Sequence, residues 1–347
     1  MEKSIFSFKF MGISVGGKTN RLCFRIFTTF LSTSNFSSYM SKLTIVGAGG
    51  SVGATAAEAC ARRDLANEVI MLDVAEGVPQ GKALDLTQVA PINLYDSRLT
   101  GSTNDYAMTA GSDVVIITAG RPRKPGMTRE ELIGTNASIV STVTENILKH
   151  SPDAILIVVT NPMDTMTYHA LKSTGLPKNR IIGMGGILDM SRYKAFLSME
   201  LNCSPKDLQG FVIGGHGDTT MIPLPRFTSW AGMPITDAIP ADRLEAIVQR
   251  TMKGGAELTG LIGTSAWYAP GNAAALLAES VIRDQKRLFP CSVLLEGEYG
   301  QKDICLGVPV VVGKNGWEKV VELDLNDDEK AKFQASADAV RGVNGLL

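Results

Sequence analysis

Apolar positions fall into two rhythms along this chain. From Lys42 onward, short continuous runs, "KLTIVG", "EVIMLDV", "SDVVIITAG" and "DAILIVVTNP", alternate with longer stretches of helical character such as "SVGATAAEACARRDLA" and "TREELIGTNASIVSTVTENILKH". A run that is apolar at every position marks a strand buried on both faces, as in a parallel sheet covered by helices. With the β-rich "SRLTGS" among them, these runs predict a doubly wound α/β domain. The rhythm changes after "RIIGMGG". A helix over "DMSRYKAFLSMEL", the run "LQGFVIGGHGD" and a helix around "ADRLEAIVQRTMKGGAELTGL" lead to "SVLLEGEYGQKDICLGVPVVVGKNGWEKVVEL". In that last stretch, alternating runs joined by "YGQKD" and "KNGW" read as antiparallel strands with tight turns. The expectation is a parallel-sheet domain over residues 41–185 followed by a mixed α+β domain over 186–347.

Residues 1–40 follow neither rhythm. Through Ser41 they carry five Lys or Arg, one Glu, no Asp, many Ser and Thr, and several Phe. That composition matches an organelle transit peptide, and it equally matches an upstream extension before a start at "MSKLTIVGAGG". The first reading implies a mitochondrial address and the second a cytoplasmic one; neither contributes to the fold.

Charge narrows the function classes. Lys plus Arg number 34 against 35 Asp plus Glu, so a net charge of -1 offers no footprint for nucleic acid or an anionic membrane. No apolar run approaches the roughly 18 to 20 residues that span a bilayer. The five cysteines, Cys23, Cys60, Cys203, Cys291 and Cys305, are scattered, form no CxxC pair and lack nearby histidines, so they read as reduced thiols and no metal site is expected.

The chemistry concentrates in four places. "IVGAGGSVG" sets Gly47, Gly50 and Gly53 at GxxGxxG spacing, after a strand and opening a helix. Such a turn brings backbone close to a pyrophosphate, and the helix N-terminus attracts its charge. Asp73 ends the next strand, 20 residues past Gly53, where a carboxylate accepts both ribose hydroxyls and repels a 2′-phosphate, so NAD is favoured over NADP. "RPRKPGMTREEL" then gathers Arg121, Arg123, Lys124 and Arg129 beyond the carboxyl end of a sheet strand, with Pro122, Pro125 and Gly126 suiting a stiff loop on a hinge. It reads as a surface loop or, in the favoured sense, as a lid that brings arginines onto an anionic substrate.

"LDMSR" sets Asp189 and Arg192 one helical turn apart. They form either a plain ion pair or two separate tools, a forked donor for a carboxylate and an orienter for a base. Of the three histidines, His150 ends a helix and His169 lies within one, so both read as structural. His216, in the glycine-lined "GGHGDTT", is the candidate base. Tyr168 and Lys172 make a YxxxK pair suggestive of a short-chain dehydrogenase, but positions 155 to 157 are Ile, Leu and Ile where that chemistry needs a serine, so the pair reads as ordinary helix surface.

Taken in order, "GAGGSVG", "EVIMLD", "TAGRPRKPGMTR", "VTNP", "LDMSR", "GGHGDT" and "EGEYG" resemble the lactate/malate dehydrogenase superfamily, most closely its lactate-dehydrogenase-like malate branch. The resemblance runs from about Lys42 to the last dozen or so residues. It implies a Rossmann domain followed by a substrate domain, an NAD cofactor contacted by Gly47, Gly49, Gly50, Ser51, Val52, Gly53, Asp73, Asn136, Val159, Thr160 and Asn161, and a small dicarboxylate substrate. It implies His216 as proton donor and acceptor, Asp189 as its partner, Arg192 on the C1 carboxylate, Arg129 polarising the ketone, and Asn161 touching substrate and cofactor. Arg123 stands where lactate dehydrogenases have glutamine, which favours malate over lactate. A homodimer or homotetramer is implied as well. The rival expectations are a lactate or other 2-hydroxyacid dehydrogenase and a catalytically silent NAD-binding protein. One departure is the adjacency of Gly49 and Gly50, which fits GxxGxxG better than the GxGxxG of lactate-type members.

Overall fold

The computed structural model describes residues 41–121 and 128–347, without the side chain of Arg129. The readings of residues 1–40, of Arg123 and the rest of the arginine loop, and of the Arg129 side chain therefore lie outside the described residues.

Strands and helices alternate as the apolar runs predict: β1 (Lys42–Val46), α1 (Ser51–Arg62), β2 (Glu68–Asp73), α2 (Val78–Asn93), β3 (Arg98–Thr103), β4 (Val114–Ile117), α3 (Arg129–His150), β5 (Ile155–Val158), α4 (Met163–Thr174) and β6 (Ile181–Gly183). The six strands are parallel in the order β3-β2-β1-β4-β5-β6. Successive side chains of a strand face opposite ways, and here each direction has its own core. Leu43, Ile45, Met71, Val114, Ile116 and Ile157 feed one; Val46, Leu72, Val115, Ile117, Leu156 and Val158 feed the other. That is why the central strands are apolar at nearly every position, the buried Thr44 being paired with the Ser112 hydroxyl at 2.8 Å.

The second half contributes α5 (Gly186–Leu201), β7 (Val212–Gly214), β8 (Met221–Pro223), α6 (Ala241–Ile262), α7 (Tyr268–Ile282), β9 (Arg287–Glu296), β10 (Lys302–Gly313), β11 (Gly316–Val320) and α8 (Asp327–Asn344). β9, β10 and β11 are the antiparallel strands expected from the alternating runs. They do not form a sheet of their own. Ser292 of β9 pairs with Gly183 of β6, and Gly307 of β10 pairs with Gly214 of β7, so one eleven-stranded sheet runs through the described residues. Glycine is required at both seams. A Cβ at Gly183 would lie 2.4 Å from Met163 Sδ and 2.8 Å from Ser292 Cβ, and one at Gly307 would lie 2.4 Å from the Gly214 carbonyl oxygen.

Three helices carry weak sequence signals. α2 includes Gly81 and Pro91 and buries only Pro79 and Ala83. α7 is nearly all small and apolar, so it has no polar face to reveal its period; Gly271 lets it approach α1 until a Cβ there would sit 2.7 Å from Thr55. α8 opens with a capping box between Asn326 and Glu329. No helix among the described residues is long and apolar enough to cross a membrane.

Replacing Gly307 with Ala should cost about 1–3 kcal/mol through overpacking against backbone that cannot swing aside. Urea unfolding of the variant beside the parent chain measures this.

Candidate active site

The segments of the first half singled out for chemistry lie beyond the carboxyl ends of parallel strands, where open α/β sheets bind their ligands. The glycine turn follows β1, Asp73 closes β2, Thr118–Arg121 follow β4, Val159–Asn161 follow β5, and Met184–Gly186 follow β6. The turn is shaped by three steric demands. Gly47 has φ +89°, and a Cβ on it would lie 2.6 Å from the Ala119 nitrogen. A Cβ on Gly49 would lie 2.8 Å from the Asp73 carboxylate, and one on Gly53 would lie 2.4 Å from the Gly47 carbonyl oxygen. Gly50 is the least crowded, with 3.3 Å to that same oxygen. The most crowded set is thus Gly47, Gly49 and Gly53, whereas the spacing picks out Gly47, Gly50 and Gly53.

Gly50 is the N-cap of α1 and offers no side chain to it, and Ser51, Val52 and Gly53 place no acid in the first turn. The first N–H groups of α1 thus remain available to an anion, which suits the pyrophosphate of a dinucleotide. Asp73 Oδ2 accepts from the Gly49 N–H at 2.7 Å and Oδ1 from the Ala75 N–H at 3.0 Å, which fixes the carboxylate at the edge of the turn. A cradle that any Cβ would fill, a bare helix N-terminus and a fixed carboxylate fit NAD.

Across the cleft, Thr160 Oγ1 donates to the Ala119 carbonyl at 2.7 Å, and the exposed Asn161 precedes a cis bond to Pro162. Asn136 is 2% exposed. Its Oδ1 accepts from the Arg121 N–H at 2.7 Å and its Nδ2 donates to the Asn161 carbonyl at 2.7 Å. Both ends of the amide are taken by backbone. Asn136 thus braces the Arg121 and Asn161 segments against each other.

His216, Asp189 and Arg192 meet. The His216 Nδ1–H donates to Asp189 Oδ2 at 2.8 Å, and Arg192 Nη1 reaches Asp189 Oδ1 at 3.4 Å and the Thr251 carbonyl at 3.4 Å. Asp189 lies in the first turn of α5, where the helix dipole favours a negative charge. Arg192 lies so flat on α6 that a Cβ on Gly254 would sit 2.2 Å from its Cδ. Burial acts to lower the imidazole pKa, but the charge and hydrogen bond of Asp189, together with the charge of Asp164, outweigh it, so the value is raised above the ordinary 6.5. With Nδ1 held, Nε2 is the nitrogen left for chemistry.

The glycines around His216 have specific work. Gly214 has φ +85°, and a Cβ there would lie 2.4 Å from the Thr220 carbonyl oxygen; one on Gly215 would lie 2.8 Å from Val340 of α8. Ser336 of α8 closes the loop, accepting from the Gly215 N–H at 2.9 Å and donating to the Thr220 carbonyl at 2.8 Å. Sequence reading missed Ser336, because a serine inside a polar helix carries no signal. It also missed Asp164, whose Oδ2 accepts from the His216 backbone N–H at 2.7 Å.

The remaining candidates fall outside this cluster. His150 ends α3, and His169 pairs with Ser141 at 2.7 Å between α3 and α4. Tyr168 and Lys172 both reach Asp303, at 3.2 and 2.7 Å. Cys60, Cys291 and Cys305 are buried free thiols, with burial pushing Cys60 up to about 12. Among the described residues no group of three metal-ligating side chains converges.

A phosphate-binding turn and a carboxylate-oriented imidazole around one sheet edge describe the NAD-dependent α/β dehydrogenases as a class. Comparison with known proteins narrows the class. Residues 41–183 match the lactate/malate dehydrogenase NAD binding domain, and residues 187–342 match the alpha/beta C-terminal domain of the same enzymes. The chain belongs to the lactate/malate dehydrogenase family. It is 64% identical over 308 residues to a malate dehydrogenase of Bacteroides thetaiotaomicron, covering 89% of this chain and 98% of the relative. It is 60% identical over 306 residues to one of Flavobacterium johnsoniae, covering 88% and 98%. Among solved structures, malate dehydrogenase from Salinibacter ruber superimposes with TM-score 0.84 at 48% identity, over 88% of this chain and 97% of that one. A lactate dehydrogenase from Cryptosporidium parvum superimposes with the same TM-score of 0.84 at 37% identity, over 88% and 98%. Backbone shape thus does not separate the two activities.

Replacing Ser336 with Ala should leave the Gly215 N–H and Thr220 carbonyl without their partner, costing about 1–3 kcal/mol. Thermal unfolding checks the cost, and steady-state rates should fall with it because the loop carries His216.

Proposed function

We propose that this chain catalyses the reversible NAD-dependent oxidation of (S)-malate to oxaloacetate. The observation that carries the reading is the single buried carboxylate of Asp189 shared by His216 and Arg192, which sets a proton acceptor beside a carboxylate clamp. The names and the 58–64% identity of curated relatives support malate as the substrate.

In this reading residues 41–185 bind NAD and bring Arg123, Arg129 and Asn161 to the substrate, and residues 186–347 supply Arg192, Asp189 and His216. The turn of Gly47, Gly49, Gly50, Ser51, Val52 and Gly53 holds the pyrophosphate, Asp73 the adenine-side ribose, and Val159, Thr160 and Asn161 the nicotinamide side. Bound NAD supplies the hydride acceptor. Arg192 forks onto the C1 carboxylate of malate. Arg129 has the role of polarising the C2 oxygen, and Asn161 that of contacting substrate and cofactor. As hydride leaves C2, the hydroxyl proton passes to His216 Nε2, and Asp189 stabilises the imidazolium that forms. Arg123 pairs with the second carboxylate; facing the methyl of pyruvate it would be a desolvated, unpaired charge, at a cost of several kcal/mol.

Assembly into a homodimer or homotetramer would cover apolar side chains left bare on a single chain, among them Leu84 at 62%, Ile92 at 76% and Leu94 at 84% exposure. Free buried cysteines accord with a reducing, cytoplasmic setting.

His216→Ala should lower turnover by roughly 10²–10⁴-fold while NADH binding, read by fluorescence, stays near the parent value. Oxaloacetate reduction needs protonated His216, so its rate should hold through pH 6.5 and fall as pH rises through the raised pKa; malate oxidation should rise over the same range. Arg123→Gln should shift the kcat/KM ratio of oxaloacetate to pyruvate toward pyruvate by at least about 100-fold, measured as NADH oxidation with each oxo acid in turn.

A further inference from the structure

Among the described residues, Asp164 is the one buried acid beside His216 that the reaction above does not use. It is 5% exposed, in the first turn of α4 directly after Asn161, Pro162 and Met163. Ser292 Oγ of β9 donates to its Oδ1 at 2.7 Å, and the His216 backbone N–H donates to its Oδ2 at 2.7 Å. One carboxylate therefore joins the Asn161 segment, the sheet seam at Ser292 and the loop that carries the imidazole. A buried carboxylate needs donors or an opposite charge. These two donors are neutral, and the helix N-terminus adds only part of a charge.

The charged and titratable groups near the pair come from three elements. α5 brings Asp189 and Arg192, β10 brings the buried thiol of Cys305, and the loop brings His216 itself. Burial pushes the Asp164 carboxyl up from its ordinary value, while Ser292, the His216 N–H and the imidazole charge pull it back only in part. The imidazolium is thus the cation that balances it, and the charge of Asp164 in turn favours the proton on His216.

We propose that Asp164 is a positioning residue for His216: it fixes the height of the imidazole above the Asn161 segment and supplies, after Asp189, a second negative charge toward it. This rests on His216 being the proton donor and acceptor. Asp164→Asn separates the two parts of the role. An asparagine can still accept from the His216 N–H and, through its amide nitrogen, donate to Ser292, but it carries no charge.

The experiment follows the three imidazoles by NMR titration of the cofactor-free protein, with the His216 signal identified by its loss in His216→Ala. In Asp164→Asn the His216 midpoint should move down by roughly one unit, and the alkaline limb of oxaloacetate reduction should move to lower pH with it. Asp164→Ala, which also loses the tie, should lower kcat at least tenfold below Asp164→Asn with NADH affinity unchanged. An unmoved His216 midpoint in folded Asp164→Asn overturns the proposal. Should that variant not fold, Asp164→Ser decides: it removes the same charge in a smaller polar side chain, so the His216 midpoint must again move down, and a fixed midpoint overturns the proposal. Because the midpoint is read without substrate, a parent chain that titrates as expected but turns nothing over would sink the dehydrogenase reading and spare this one. Normal turnover with a fixed midpoint does the reverse.

Discussion

Asp189 is a charge with almost no water around it, 2% exposed and shared between an imidazole 2.8 Å away and a guanidinium 3.4 Å away. Removing one partner from such a buried group typically costs 3–5 kcal/mol, since the ion is left stranded. The surrounding structure is arranged to keep both partners in place. Gly185 has no Cβ because one would sit 2.8 Å from His216 Cβ, and Gly254 has none because one would collide with Arg192. The pair that handles a proton and the arginine that can hold an anion are thus two consequences of one electrostatic requirement.

That requirement is met across a long stretch of chain only because the sheet does not stop where the family domains meet. The parallel strands bring the glycine turn, Asp73 and Val159–Asn161 to one edge. The antiparallel strands, joined through Ser292 and Gly183, carry His216 to the same edge by way of Gly307 and Gly214. A hinge between two separate sheets would leave the distance from Asn161 to His216 to a flexible linker. Here it is set by backbone ladders and by the bonds of Asp164.

How much of this was legible follows from the kind of force involved. Continuous apolar runs announced the central parallel strands, since burial on both faces tolerates a polar residue only where, as at Thr44, it finds a partner. The turn, Asp73, His216, Asp189 and Arg192 were legible because each stands in a short motif whose spacing has a mechanical reason. Asn136 was found but its packing was not: only the folded structure reveals that its amide ties Arg121 to Asn161. Asp164 and Ser336 were illegible, for they act through backbone groups of residues far away in sequence. Gly49 was underrated because its constraint comes from Asp73, 24 residues on, and not from the turn itself.

The hold of Ser336 on the His216 loop has a consequence in time. The bond from Gly215 spans 121 residues, and at translation rates of 5–20 residues per second that interval is roughly 6–24 s. During it the nascent chain already owns its cofactor-binding turn, its buried acid and its imidazole, yet Gly215 and Thr220 still lack their partner. One core of the parallel half shares residues with the last hundred of the chain, and the proton-handling loop waits for a helix made near the end, so the phosphate-binding turn is synthesised well before either is completed.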